Sequence, residues 1–346
     1  MVGRVPPGGG AECVPRRFIR VEGMASLIDN HQRRLTYLRL SVTDKCNLRC
    51  WYCQPAQGLP LLPHSEILSY EEMLRLVGLF MGLGVNKIRV TGGEPLMRRD
   101  LIPFLSRLKS IAPDVELCLT TNGLRLAEMA TELKAAGVSR VNVSLDSLRP
   151  ERFRAITRVD ALDRVLDGLE TALATGFEPV KINMVPLAGV NDDEIADFGR
   201  LTLGRPLEVR FIEFMPLGDG SRWRPELVVS SAEVMRRLSS LGRLDPIDPR
   251  PGDGPARRYR IEGAAGAVGF ISAMTDHFCE TCNRLRLTAE GRLRPCLLSD
   301  LEVDLKVPLR DGASDAELTR IIVDSAGLKP RRPDRQVHRP MSSIGG

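Results

Sequence analysis

Six of the eight cysteines stand in two tight groups of three, Cys46-x3-Cys50-x2-Cys53 and Cys279-x2-Cys282-x13-Cys296. The other two stand apart. Cys13 lies in a Pro/Gly-rich leader, and Cys118 lies in the strand-like run Val115–Thr120, where it reads as a core residue. A disulfide framework spreads cysteines through a small secreted domain, whereas grouped thiols point to thiolates gathered on a metal in a reducing compartment; the chain reads as cytoplasmic. A 4Fe–4S cluster normally takes four cysteines, so three leave one iron open to another ligand. Structural zinc wants four ligands, commonly in two close pairs. The first group has no fourth cysteine nearby, and its nearest histidine, His64, lies eleven residues on. The second group keeps zinc as an alternative, because His277 could complete a Cys3His set, although the His-x-Cys spacing makes a tight chelate. Arg284 and Arg286 follow Cys282 closely, and guanidinium groups grip phosphate oxygens in a bidentate way that lysine cannot match. An open cluster beside an anionic substrate fits that pair better.

These residues need a frame, and the sequence supplies one. Strand-like runs rich in Val, Ile and Leu fall at Leu38–Thr43, Lys87–Thr91, Val115–Thr120, Arg140–Leu145, Val180–Val185 and Leu207–Phe214, as for strands buried on both faces. Between them lie helical segments. Ser69-x-x-Glu72 has capping-box spacing, Asn191-x-x-Glu194 has it less strictly, and Leu101–Ile111, Ala127–Ala136, Leu162–Thr175 and Ala196–Leu203 carry the rest. Six β–α units in succession predict a parallel sheet in the α/β class, a partial (β/α)6 TIM-like barrel rather than the full eight. The first cysteine group directly follows the first strand, the C-terminal face on which barrel enzymes place their sites. Beyond residue 217 the alternation stops. Ser230-x-x-Glu233 caps another helix, residues 245–256 read as a Pro/Asp/Gly-rich loop, and Arg257–Ile261, Val268–Ala273 and Arg284–Thr288 read as strands. A last helix, Ser314–Ala326, stops at Gly327. The expected organisation is a flexible leader and lead-in at 1–35 with Met24 a candidate start, a barrel at 36–217, and a smaller C-terminal α+β domain at 218–346.

Composition removes several classes of function. The chain has 346 residues, 43% hydrophobic and 27% charged, which is a globular balance with room for a sizeable core. Its longest unbroken apolar run, Leu76–Val85, is about half the length a membrane span requires, and no secretory signal precedes it. The net charge of +5 sits at the ends: residues 329–346 carry +4 and residues 1–23 carry +2, leaving −1 for the body. With two Trp and four Tyr as well, a nucleic-acid surface is the weaker reading, and neither nucleic acid nor membrane is expected as a partner.

The Cys-x3-Cys-x2-Cys spacing with Tyr52 before its last cysteine, and Gly92-Gly93-Glu94-Pro95 just after the second strand, resemble the radical S-adenosylmethionine superfamily. Glycines there would let the backbone approach the methionine end of that ligand with no Cβ in the way. Within the superfamily, Leu38–Cys46, Lys87–Pro95, Thr120-Thr-Asn-Gly123, Cys282-Asn-Arg-Leu-Arg286 and the Gly345-Gly346 terminus make the chain similar to the GTP 3′,8-cyclases of molybdenum-cofactor biosynthesis, over more than nine-tenths of its length. It departs from them at Gln54, where Met is usual, and in the leader before Met24.

That resemblance implies two 4Fe–4S clusters, on Cys46, Cys50 and Cys53 and on Cys279, Cys282 and Cys296. It implies S-adenosyl-L-methionine held by Tyr52, Gly93, Ser144 and Met215. It implies GTP held by Arg39, Arg89, Thr120 and Lys181 and by the segment Arg284, Leu285, Arg286. Arg39, Arg89 and Lys181 could be ordinary surface bases, yet each sits in a largely apolar strand run, and an unpaired charge inside a barrel is costly, so they should face a polyanion. The implied reaction uses a 5′-deoxyadenosyl radical to convert GTP to (8S)-3′,8-cyclo-7,8-dihydroguanosine 5′-triphosphate. The implied partners are an electron donor such as flavodoxin or ferredoxin, the next-step cyclic pyranopterin monophosphate synthase, and a second copy of the chain in a homodimer. A peptide-modifying radical enzyme with an auxiliary cluster, and a non-enzymatic metal-binding protein, are the alternatives. Peptide-modifying relatives usually carry more cysteines in the second region, and the metal-binding reading leaves the Gly-Gly-Glu-Pro loop unexplained.

Overall fold

The computed structural model describes residues 26–218, 222–249, 254–333 and 337–345. Six strands alternate with helices in the order β1 (Tyr37–Ser41), α1 (Tyr70–Gly82), β2 (Lys87–Thr91), α2 (Leu101–Ile111), β3 (Glu116–Thr121), α3 (Leu126–Ala135), β4 (Arg140–Ser144), α4 (Pro150–Thr157), α5 (Leu162–Ala174), β5 (Val180–Met184), α6 (Ile195–Arg200) and β6 (Leu207–Ile212). Each strand pairs in parallel with the next, β1 through β6. The predicted capping box starts α1: Ser69 Oγ accepts from the Glu72 amide, and the Glu72 carboxylate accepts from the Ser69 amide. At Asn191 no such cap forms. Its side chain instead accepts from the Leu187 amide and donates to the Asp146 and Val185 carbonyls, stapling the loops after β4 and β5 together. Helix α4 has no counterpart in the sequence reading; Glu151, Arg152 and Arg154 dilute its apolar period.

The strands do not have two apolar faces. Leu38 and Leu40 of β1, Ile88 and Val90 of β2, Leu117 and Leu119 of β3, and Val209 and Phe211 of β6 join the hydrophobic core under the helices. The alternate residues, Tyr37, Arg39, Lys87, Arg89, Thr120 and Arg210, point to the barrel interior and line a cavity there. Strand alternation thus segregates a dry outer layer from a polar centre.

The chain then continues through α7 (Ser231–Leu238), β7 (Leu244–Ile247), β8 (Arg257–Ile261), β9 (Ala267–Ile271), β10 (Arg284–Leu287), β11 (Arg292–Arg294), β12 (Val303–Asp304), α8 (Lys306–Arg310) and α9 (Asp315–Gly327). Ser230 and Ser314 cap α7 and α9, and Gly327 is the last helical residue rather than the stop beyond it. The C-terminal α+β part builds its strands onto both edges of the barrel sheet: β9 pairs in parallel with β6, and β10 in parallel with β1. The order is β12-β11-β10-β1-β2-β3-β4-β5-β6-β9-β8-β7, with antiparallel hairpins at the two ends. Strand β7 falls partly in the stretch 245–256 read as loop, where Pro246 hides the strand pattern. Among the described residues no helix is long and apolar enough to cross a membrane.

The expected flexible leader lies mostly outside the described residues, but 26–35 is not loose. Leu27 and Leu35 are buried, and Ile28 bridges Arg34. Arg33 forms a buried ion pair with Asp29 at 2.5 Å and donates to the carbonyls of Cys279 and Pro330, both at 2.8 Å. This lead-in therefore fastens the second cysteine loop. Removing one partner of a buried ion pair strands the other's charge, at a cost of about 3 kcal/mol or more. Asp29→Ala is accordingly expected to lower the thermal unfolding midpoint clearly, and a midpoint equal to the parent's, measured by circular dichroism, would contradict the fastening role.

Candidate active site

The first cysteine group lies on the loop that leaves β1, at the C-terminal edge of the parallel strands. The Gly-Gly-Glu-Pro stretch after β2 is packed directly on that loop. The Gly93 amide donates to the Thr43 carbonyl and the Glu94 amide to the Lys45 carbonyl, each at 2.7 Å. A Cβ on Gly93 would overlap the carbonyl oxygens of Lys45 and of Asp44, the latter at 2.6 Å. The glycine is needed so that two backbones can touch. Buried Glu94 accepts from Thr121 Oγ1, the Asn122 amide and the Leu96 amide, joining the loops after β2 and β3. Burial lifts its carboxyl to about 7 against those donors. Asn122 in turn donates to Asn47 Oδ1 at 2.7 Å. The cysteine loop is thus braced from two neighbouring loops.

Burial, together with the neighbouring thiols and Asp146, pushes the Cys50 thiol well above its ordinary value and Cys53 up to about 11. Burial also raises Cys46. Three crowded thiols that resist ionisation alone are a donor set suited to a strongly cationic centre, whose charge offsets both penalties. Three cysteines on one loop therefore fit an iron–sulfur cluster with an open iron.

In the second group burial raises Cys279 as well, but Cys282 faces a different field. Burial would raise Cys282, yet Arg284 and Lys329 outweigh it and bring the thiol down to about 6. Lys329 also donates to the Arg284 carbonyl at 2.8 Å and to the Pro295 carbonyl at 2.6 Å, tying β10 to the loop of Cys296. Among the described residues no three His, Cys, Asp or Glu side chains converge as a single metal ion would require. A lone zinc holds its thiolates about 2.3 Å from one point, whereas a cluster gives each thiolate its own iron. His277 borders the same cavity as Cys279, Cys282 and Cys296.

That cavity, about 270 Å³, occupies the barrel centre. Of the residues expected to hold S-adenosylmethionine, Tyr52, Ser144 and Met215 line it and Gly93 does not. Of those expected to hold GTP, Arg39, Arg89, Thr120, Lys181, Arg284 and Arg286 line it. Leu285 does not: it alternates to the opposite face of β10 and is fully buried in the apolar core. Four further bases, Lys87, Arg140, Arg210 and Lys329, share the lining, against one carboxylate, Asp146. Sequence reasoning missed Lys87 and Arg210; parity would have found Lys87, two positions from Arg89 in the same strand, whereas no flagged residue in β6 points to Arg210. It also missed Asp146, which accepts from the Tyr52 hydroxyl and the Val185 amide and is lifted to about 6 by burial.

The register places like charges side by side. Arg286 of β10, Arg39 of β1 and Arg89 of β2 are direct lateral partners across three strands. Burial first, then Arg39 and Arg284, push Arg286 well below its ordinary value, and burial with Arg89 and Arg284 brings Arg39 to about 10. Burial and Arg210 lower Lys181 to about 7. The bases are not unpaired, as the sequence reading supposed. Arg89 donates to Tyr37 Oη at 2.6 Å and to the Leu119 carbonyl at 3.0 Å, and Lys181 meets Glu208 at 3.0 Å. Buried Thr120 Oγ1, Asn142 Oδ1 and Asn183 Oδ1 have no partner, and all three residues line the cavity. Such a cationic chamber with idle polar atoms is built for a polyanionic, hydrogen-bonding guest.

The C-terminal tail enters this chamber. Gly345, at φ +72°, offers its carbonyl to Arg286 at 2.8 Å and to Arg39 Nε at 3.3 Å. A Cβ there would meet Thr91 Oγ1 at 2.7 Å, so only glycine fits. Gly346 lies outside the described residues. Ile344 packs with Leu217, Leu298 and Val337, and Arg339 grips Glu302 at 2.7 and 2.8 Å and pairs with Glu290.

Residues 40–202 match the Radical SAM superfamily and residues 207–334 match Molybdenum Cofactor Synthesis C. The GTP 3′,8-cyclase of Heliobacterium modesticaldum is 52% identical over 330 residues, covering 92% of this chain and all of the relative. That of Geobacter sulfurreducens is 50% identical over 306 residues, covering 88% and 93%. Among solved structures, Streptococcus suis SuiB bound to S-adenosylmethionine superposes with a TM-score of 0.57 at 15% identity, over 84% of this chain and 69% of SuiB, a likeness of fold. Relatives of this identity along nearly the whole chain set aside the peptide-modifying and non-enzymatic readings. The chain belongs to the GTP 3′,8-cyclase family, radical S-adenosylmethionine enzymes of molybdenum-cofactor biosynthesis.

Proposed function

We propose that this chain holds two 4Fe–4S clusters around one substrate chamber, with residues 36–217 binding S-adenosylmethionine and residues 218–346 completing the GTP site. The observation that carries this reading is the convergence of nine basic side chains and the second cysteine group on one cavity, beside Tyr52, Ser144 and Met215. Cys46, Cys50 and Cys53 would hold the first cluster and Cys279, Cys282 and Cys296 the second. When bound, these groups supply a 5′-deoxyadenosyl radical able to take the ribose C3′ hydrogen of GTP, and an electron for the nucleotide once C3′ has joined C8.

The chain's own contribution is placement and exclusion of water. The row Arg286, Arg39 and Arg89, with Lys181, Lys87 and Arg210, gives the triphosphate charge-assisted hydrogen bonds that fix the ribose relative to the first cluster. Tyr52, Ser144 and Met215, with Gly93 behind the cluster loop, set the place of S-adenosylmethionine, and Asp146 orients the Tyr52 hydroxyl. Thr120, Asn142 and Asn183 have idle polar atoms that suit ribose and base. Leu285 contributes backbone alone, since its side chain faces the core. The aromatic cluster of Trp51, Tyr52 and Phe214 closes the side of the chamber near the first cysteines, which keeps water from a reactive radical. The same reading places the enzyme in the cytoplasm, supplied by a flavodoxin or ferredoxin, feeding cyclic pyranopterin monophosphate synthase, and working as a homodimer.

Metal analysis tests the two-cluster reading. Protein purified without oxygen should carry about eight irons, and Cys279→Ala/Cys282→Ala/Cys296→Ala about four. About four irons with one zinc in the parent would overturn it. A methyl group at position 93 should displace the first cysteine loop, so Gly93→Ala is expected to lose roughly half the iron and most S-adenosylmethionine cleavage while still binding GTP. The Lys181 ammonium, charged below about 7 and neutral above it, favours triphosphate only while protonated. GTP affinity should therefore weaken as pH rises through about 7, as equilibrium dialysis would report.

A further inference from the structure

Within the barrel one carboxylate lies behind the cavity wall. Glu208, on β6, is 2% exposed and is not part of the cavity lining, whereas Lys181 and Arg210 are. Its two oxygens reach three strands at once: Lys181 Nζ on β5 at 3.0 Å, Arg210 Nε on β6 at 2.5 Å and Arg258 Nε on β8 at 3.3 Å. Lys181 and Glu208 are direct register partners, so the pair is fixed by the sheet and not by a mobile loop. Burial alone would raise this carboxyl, but Arg210 and Lys181 outweigh it and hold it at about 2, so it is charged under all working conditions.

We propose that Glu208 is a positioning residue for the triphosphate: it never touches substrate, but it aims Lys181 and Arg210 into the chamber and supplies the counter-charge that lets both coexist there before the anion arrives. This rests on the assignment of Lys181 and Arg210 to the phosphates. Lys181 is faced by Arg210 and Glu208 from β6 and by Arg140 from β4, with Arg258 across Glu208 from β8. Two of those neighbours act on it as bare positive charge and lower its proton affinity, and Glu208 alone of the four raises it. Without Glu208 the lysine would lose its proton at a lower pH and swing free of the wall, and Arg210 would lose the partner that fixes its guanidinium plane. Glu116 plays the matching part on the other side, pairing with Lys87 and Arg140, each at 3.0 Å, but it is a quarter exposed and water shares its task. Glu208 has no such help.

The test compares iron-loaded parent, Glu208→Gln, Glu208→Asp and Lys181→Met by equilibrium dialysis of GTP and GDP across pH, with turnover measured alongside. Glu208→Gln should weaken GTP binding by about tenfold at neutral pH, move the pH at which affinity falls to a lower value, and narrow the preference for GTP over GDP. Its kcat at saturating GTP should fall less than its Kd rises, and Glu208→Asp should recover part of the loss. A merely structural carboxylate would lower iron content and kcat without moving the pH profile; that outcome, or an unchanged GTP Kd, overturns the proposal. If Glu208→Gln does not fold, Glu208→Asp is read instead: its shortened reach should still weaken GTP binding, and parental affinity would overturn the proposal. Lys181→Met separates the two levels. If it binds GTP like the parent, the phosphate assignment itself fails; if it binds weakly while Glu208→Gln binds normally, only the positioning role fails.

Discussion

Three guanidinium groups held side by side in a barrel interior are the constraint around which this molecule is arranged. Arg286, Arg39 and Arg89 are lateral neighbours in a parallel sheet, whose strands run about 5 Å apart. Like charges on neighbouring strands repel, and a buried setting screens them less than water would. Neutral groups of the protein oppose this: the Gly345 carbonyl shared by Arg286 and Arg39, the Tyr37 hydroxyl beside both Arg39 and Arg89, and the Leu119 carbonyl on Arg89. Neutral acceptors hold the charged side chains in place, and a guest carrying several negative charges would relieve the remaining like-charge repulsion.

The architecture follows from keeping such a row intact. A purely parallel (β/α)6 sheet would leave β1 at an open edge, and Arg39 with it. Strand β10 closes that edge and brings Arg284 and Arg286, so the C-terminal part is as much wall as it is domain. Strands β9 and β8 do the same beyond β6, carrying Arg258 to the far side of Glu208. The buried lead-in matters for the same reason, since Arg33 secures the loop that turns into β10.

The sequence made the chemistry legible more readily than the geometry. Cysteine spacing and the Gly-Gly-Glu-Pro stretch are local signals, each complete within ten residues, and the strands that carry them were readable from apolar runs. Relations between strands were not. The polar inner face was concealed because Val, Ile and Leu at alternate positions dominate the composition of every run, and only pairing shows which set faces inward. Leu285 was assigned to substrate because it sits between two arginines that do reach the cavity, although parity turns it away. At Gly93 the sequence does not show that a Cβ would meet a carbonyl of Lys45, far earlier in the chain. Glu208 carried no motif at all. A lone glutamate at the start of a strand is unremarkable until register sets it opposite Lys181.

The two cysteine groups are alike in composition, but one thiol of the second, Cys282, sits in a field unlike that of its counterparts in the first. Cys50 and Cys53 are buried beside other thiols and Asp146, and burial, thiols and carboxylate all oppose ionisation. Cys282 lies against Arg284 and Lys329, where a thiolate is favoured before any metal arrives. The same cations extend into the arginine row, so Cys282 and the row share one electrostatic environment.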